Sequence, residues 1–282
     1  MSENDSIKLK QWVAKLSSAD IPVLKQTARD LAALHEDENK LSARSVENAI
    51  AADPMMTVKL LRYLQQHKRR SQTNEVVQVE QALIMLGVEV FYTKVPAAPF
   101  VQEALAGQTE ALIQLLHVIH RGHRASNYAR DWAIRLNNMH FEEVRIAALL
   151  HDLAEILMWC FAPQDMLKIR TIQKNDKALR SRAVQEQVLG FALSDLQQEL
   201  IKEWSLPQLL LTLMDDSNAR QIQVRNVVLA VNLARHSANG WNDAALPDDY
   251  TELGELLRIS PTDAMALVVP EEGAACDLTK PH

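Results

Sequence analysis

Glycine and proline are both scarce: the 282-residue chain has seven of the first and ten of the second. Aromatic residues make up 5% of it, and the β-branched and aromatic runs that build strands do not occur. An all-β sandwich or barrel needs those runs and frequent turns, so that class is excluded. Cysteine occurs only at Cys160 and Cys276, too few for a disulfide framework, which points to a reducing cytoplasm. Nor is there an excess of positive charge. Lysine and arginine number 30 against 36 acidic residues, and the net charge of −6 argues against a general nucleic-acid binder. No apolar run approaches the roughly 20 residues that span a bilayer. The opening "MSENDSIKLKQW" is polar and amphipathic, unlike a signal peptide. The expectation is a soluble, cytoplasmic protein with no membrane partner. Walker, GxSxG, GxGxxG and CxxC motifs are missing as well.

What the chain does have is 48% hydrophobic residues, set among Leu, Ala, Gln, Glu, Arg and Lys. These are good helix formers, and their number suffices for one large or two modest cores. "SIKLKQWVAKL" (6–16) reads as a short helix with Trp12, Val13 and Leu16 inward. "ADIPVLKQTARDLAALHE" reads as the next, capped by Asp20 with Pro22 in its first turn. "SARSVENAIAA" (42–52) is a third, after which Asp53 and Pro54 open a fourth over 54–66. Residues 79–95 form two helices separated at Gly87. "PAAPF" (96–100) and "AGQTE" (106–110) punctuate the middle. They divide an N-terminal helical subdomain, 1–105, from a second one, 106–265, with a tail over 266–282. Further helices are predicted near 110–121, 123–137, 141–159, 164–174, 178–190, 194–204, 207–214, 221–237 and 249–258. No fixed-period repeat is present, which disfavours a solenoid.

Three polar sites interrupt this apolar pattern. In "AALLHDLAEILMW" (147–159), His151 and Asp152 stand side by side between leucines at helical spacing. Unpartnered polar groups are costly in a core, so the pair needs an explanation. "HVIHRGHR" (117–124) sets His117, His120 and His123 three apart along one helix side. "AVNLARHS" (230–237) places Asn232 on an apolar helix face. Imidazole nitrogen and carboxylate oxygen suit Mn, Fe, Zn or Mg, and a metal hydrolase needs three or four such ligands plus an open position for water. His151 and Asp152 would supply two and His120 or His123 a third; a fourth is not evident. The structural reading has His151 bonded to a backbone carbonyl and Asp152 capping a helix or pairing with Arg121, Arg124, Arg130 or Arg145. On the residues alone it outweighs the catalytic one. "HKRR" (67–70) reads as a solvated basic loop, and Cys160 has no base near it in sequence.

The order of four segments resembles the HDOD family, a bacterial relative of the HD superfamily of metal-dependent phosphohydrolases. They are "IAADPMMTVKLLRYL" (50–64), "VEQALIMLGVEV" (79–90), "IAALLHDLAEILM" (146–158) and "EQVLGFALSDLQQELIKEWSLPQLLLTLM" (186–214). The resemblance covers roughly residues 15 to 240. It implies an all-α protein in which an N-terminal helical bundle packs on an HD-like bundle. It implies a regulatory role too, since HDOD proteins are regarded as signalling modules.

In catalytic relatives the ligands are a His, the His-Asp pair and a later Asp. Carried over, His151 and Asp152 match the pair, and His123 falls nearest the first ligand. The rest departs. Asn232 stands where the final Asp is expected, and Asp215–Asp216 follow "WSLP" where HD-GYP relatives carry two histidines. Ala154–Glu155 replace a Gly-Lys, and "LQQ" (64–66) ends the helix that relatives end in Ala-Asn. These departures favour a non-catalytic signalling module acting through protein contacts or a small ligand, with no cofactor and no assigned catalytic residue. The alternative is a phosphohydrolase of a nucleotide or phosphate ester, with a divalent metal on His151, Asp152 and His120 or His123. Signalling proteins are the expected partners, and nucleic acid is not.

Overall fold

The structure, a computed structural model, describes residues 3–68, 75–176 and 179–269. Among these residues it is built from α-helices and short 3-10 turns, with no β-strand, as an all-α sequence requires. The first half holds α1 (Glu3–Ser18), α2 (Lys25–Glu36), α3 (Ala43–Ile50), α4 (Pro54–Gln66), α5 (Val79–Leu86), α6 (Val88–Lys94) and α7 (Val101–Ala104). Then come α8 (Thr109–Arg135), α9 (Phe141–Leu150), α10 (Leu153–Phe161), α11 (Pro163–Asn175), α12 (Ser181–Leu189), α13 (Leu193–Glu203) and α14 (Gln208–Leu213). A 3-10 turn, Asp216–Asn218, leads to α15 (Ile222–His236), and a second, Ser237–Asn239, precedes α16 (Leu246–Leu257) and α17 (Pro261–Val268). No single helix among the described residues is long and apolar enough to cross a membrane.

Two compact units interleave along the chain. Of the described residues, one takes those up to Ile119 together with those from Asp152 to Leu211; the other takes His120–His151 and those from Thr212 on. In the first, α3, α4 and α5 pack together, α1 lies on α13, and α10 packs on both α11 and α13. Its core is made by Val46, Ile50, Met55, Leu61, Leu83, Ile156 and Leu200, all at most 1% exposed. In the second, α15 is the central element, packed on α9 and α16, with α17 on α16. Val144, Ile146, Val227, Ala230 and Leu253 fill that core.

Asp53 and Pro54 start α4 as the sequence predicts. The Asp53 carboxylate accepts from the backbone N–H of Met55 and Met56, each at 3.0 Å, and also from Leu24 N–H at 3.0 Å. That third bond accounts for a departure. Residues 20–24 do not open a helix at Asp20; α2 begins only at Lys25. Val23 is drawn into a parallel bridge with Phe100, donating to Pro99 O at 2.9 Å and accepting from Val101 N at 3.0 Å. Asp20 pairs instead with Lys59, at 3.0 Å.

Three other helix boundaries differ from the sequence reading. α8 runs unbroken through Gly122, which does not act as a breaker. A Cβ there would stand 3.2 Å from the Leu149 carbonyl, so the glycine provides room for α9. The single helix predicted over 141–159 is two, separated at His151 and Asp152. In an unbroken helix Ala154 N–H would bond four residues back; it donates instead to Oε1 of the buried Gln197, at 2.7 Å. α17 lies where no helix is predicted, although Ser260 caps it by accepting from Asp263 N and Pro261 is its first residue.

Candidate functional site

His151 ends α9 with helical backbone angles, and Asp152 precedes α10 in the bridge region, φ −98° and ψ 23°. Asp152 makes no side-chain capping bond to α10. The leucines around the pair, Leu149, Leu150, Leu153 and Leu157, are buried, whereas His151 and Asp152 are half-buried.

The His151 ring is held by a group 65 residues away. Its Nε2 lies 2.9 Å from Asp216 Oδ1, with the His151 side chain 14% exposed and that of Asp216 62% exposed. Asp216 is presented by a tightly bonded turn. Asp215 Oδ1 accepts from Ser217 N at 3.0 Å and from Ser217 Oγ at 2.7 Å, and its Oδ2 accepts from Asn218 Nδ2 at 3.0 Å. Such an Asx turn fixes the backbone of "DDSN" and with it the direction of Asp216. His151 thus has a carboxylate partner beyond the backbone carbonyl that the sequence suggested.

Arg145, Arg130 and Arg124 each hold defined partners. Glu142 accepts from Arg145 Nε at 2.6 Å and from Arg130 Nε at 3.2 Å. Arg124 donates to Ser237 Oγ at 2.9 Å and to Tyr128 OH at 3.1 Å, and its guanidinium lies over the Trp241 ring. His120 and His123 are half-buried on α8, and His117 is exposed. Among the described residues no three His, Cys, Asp or Glu side chains converge so as to hold a metal ion.

In α15, Asn232 is half-buried, and the fully buried polar residue is Asn226, 1% exposed. Asn226 Nδ2 donates to Ala129 O at 3.0 Å, while its Oδ1 is buried without a hydrogen-bond partner. Glu155, at the position of the family lysine, accepts weakly from Trp159 Nε1 at 3.4 Å. Cys160 is buried, and desolvation first, then the charge of Asp53, pushes its thiol up to about 12. That removes it as a nucleophile at neutral pH. Of "HKRR", His67 stacks on Tyr63 with ring centroids 4.0 Å apart, while Arg69 and Arg70 lie outside the described residues, as does Cys276.

Sequence reasoning missed Asp216 as the partner of His151 and Asn226 as the buried amide. Asp216 had a signal, its place in the stretch that follows the "WSLP" segment; Asn226 had only its spacing in an apolar helix.

Comparison with known proteins agrees with this architecture. The virulence factor from Campylobacter jejuni superposes with a TM-score of 0.68 at 16% identity, over 96% of this chain and 98% of that one. The MmoQ response regulator from Methylococcus capsulatus gives 0.65 at 18% identity, over 90% and 99%. An HDOD domain protein of unknown function from Geobacter sulfurreducens gives 0.50 at 15% identity, over 94% and 93%. At such identities the likeness is one of fold. No curated protein matches in sequence. The HDOD domain pattern itself matches residues 21–219, most of the chain and all four of its ordered segments up to the "WSLP" region, and the chain belongs to the HDOD domain family.

Proposed function

We propose that this HDOD protein is a non-catalytic regulatory module of the bacterial cytoplasm, acting through a signalling partner or a small ligand rather than by hydrolysing a phosphoester. The observation that carries this reading is the environment of His151. The nitrogen that would ligate a metal is engaged by Asp216, and among the described residues no group of three or more His, Cys, Asp or Glu is arranged to hold an ion. A metal hydrolase needs at least three protein ligands and an open coordination position to activate water. One of the similar structures is called a response regulator; at 18% identity that name lends context, and the side-chain geometry bears the weight.

The test is direct. Protein purified without chelator is analysed for bound metal and assayed on a panel of nucleotide and simple phosphoesters with Mn or Mg. The expected outcome is substoichiometric metal and no turnover, with His151→Ala lowering thermal stability and changing nothing else in the assay. Stoichiometric metal, together with hydrolysis that His151→Ala abolishes, would establish the phosphohydrolase reading in its place.

A further inference from the structure

Arg62, on the fourth helix, carries a charge that its surroundings do not neutralise. The guanidinium is half-buried and lies over the ring of Trp204, 5.3 Å from the centroid. Trp204 itself is 3% exposed. One Nη2 donor goes to the carbonyl of Ser17, at the end of α1, and among the described residues no carboxylate lies within ion-pair distance. Asp20 is the acid whose field it feels, but that carboxylate is bonded to Lys59, one turn earlier on α4. Lys59 Nζ is committed twice over, to Asp20 Oδ1 at 3.0 Å and to Ala98 O at 2.6 Å. Two cations thus share one carboxylate.

A guanidinium has five N–H donors in a planar fork. Among the described residues one of them has a partner, and burial pushes the Arg62 pKa down against the opposing field of Asp20. A second donor stands beside it. Ser17 Oγ accepts from Trp204 Nε1 at 3.0 Å, which leaves the hydroxyl proton available. A half-desolvated cation with unused donors, next to an uncommitted hydroxyl and an indole face, offers what a small oxyanion requires.

We propose that Arg62 and Ser17 form an anion site that takes the phosphate or carboxylate group of a small ligand. The oxyanion binds the free edge of the Arg62 fork and accepts from the Ser17 hydroxyl, while Trp204 bounds the site and keeps the guanidinium in its plane. Lys59, neutralised by Asp20, holds the local backbone and does not touch the anion. The site is independent of His151 and Asp216, so its presence or absence leaves the reading of those residues untouched.

The test titrates the full chain with sodium phosphate and, separately, with sodium acetate, at ionic strength matched with chloride. The readouts are the indole N–H resonance of Trp204, assigned through Trp204→Phe, and the thermal midpoint. A saturating shift of that resonance is expected with at least one of the two ions, and the ion that binds more tightly identifies the ligand group. Arg62→Gln should weaken binding about tenfold or more, the scale of a lost charge-assisted hydrogen bond; Arg62→Lys, which keeps the charge and the fold, should weaken it less, and Ser17→Ala by a smaller factor again. A Trp204 resonance indifferent to both ions in the wild-type chain, or equal binding in wild type and Arg62→Lys together with Ser17→Ala, overturns the proposal.

Discussion

Asn226 presents the sharpest balance of forces at the level of a single side chain. Its amide is almost wholly removed from water, and only its donor side is satisfied. Leaving a buried acceptor unpaired costs roughly 1–3 kcal/mol, whereas an apolar group of the same shape avoids that cost. Asn226→Leu is therefore expected to leave stability unchanged or raise it, while Asn226→Ala lowers it by opening a void; urea midpoints of the two variants decide. Asp249 offers a pH test. Burial, opposed by its 2.7 Å bond to His236, raises the Asp249 pKa above 3.8, and Asp243 and Asp248 add to the rise. A carboxyl whose folded pKa is raised contributes stability that is fully present below its unfolded pKa and is lost as pH rises through the folded one. The stability difference between wild type and Asp249→Asn should thus move in favour of the wild type as pH falls from about 6 to about 4. A difference that stays flat over that window would show that burial does not set this pKa.

Helix by helix, the sequence was most legible where one residue does one local job. Asp53 and Pro54 open α4, Gly87 separates α5 from α6, and the leucine stripe around His151 is buried, all as their spacing implies. It was least legible where a distant group overrides local preference. The α9–α10 break depends on Gln197, 43 residues on from Ala154, and the late start of α2 depends on Phe100 and Asp53. No periodicity records such partners. The candidate site divides in the same way: the His151–Asp152 pair was visible at once, but its engagement by Asp216 is a tertiary fact. Asp53 itself serves two elements, so Asp53→Ala should cost more than an ordinary cap, about 2–3 kcal/mol against about 1. Hydrogen exchange would then show lost protection at the starts of both α2 and α4. Protection lost at α4 alone would mean that the Leu24 bond contributes little. At the junction of α16 and α17, a Cβ on Gly254 would lie 2.9 Å from the Ile259 carbonyl oxygen. Gly254→Ala should accordingly loosen α17, read as faster exchange of its amides.

For the molecule as a whole, charge and family set the expectations. With 36 acidic residues against 30 basic ones, the net field repels polyanions. Electrophoretic mobility of duplex DNA and of single-stranded RNA should be unchanged by the protein at about 0.15 M salt, where screening leaves only short-range contacts. A salt-sensitive retardation would assign a partner class that neither charge nor geometry suggests. The HDOD pattern over residues 21–219 secures family and fold. The division drawn at residue 105 follows chain order, while the compact units return to the first unit after Asp152; composition cannot reveal that interleaving, because each return rests on contacts distant in sequence.

The bond from Trp204 Nε1 to Ser17 Oγ joins positions 187 residues apart, within a unit that also packs α1 on α13. On the ribosome, at about 5–20 residues per second, α13 emerges about 10–40 s after α1. Through that interval the side of α1 that packs on α13 lacks its native partner. The nascent chain thus carries an amphipathic helix whose α13-facing side stays open until that partner is made, an early client for any factor that shields apolar segments at the exit tunnel.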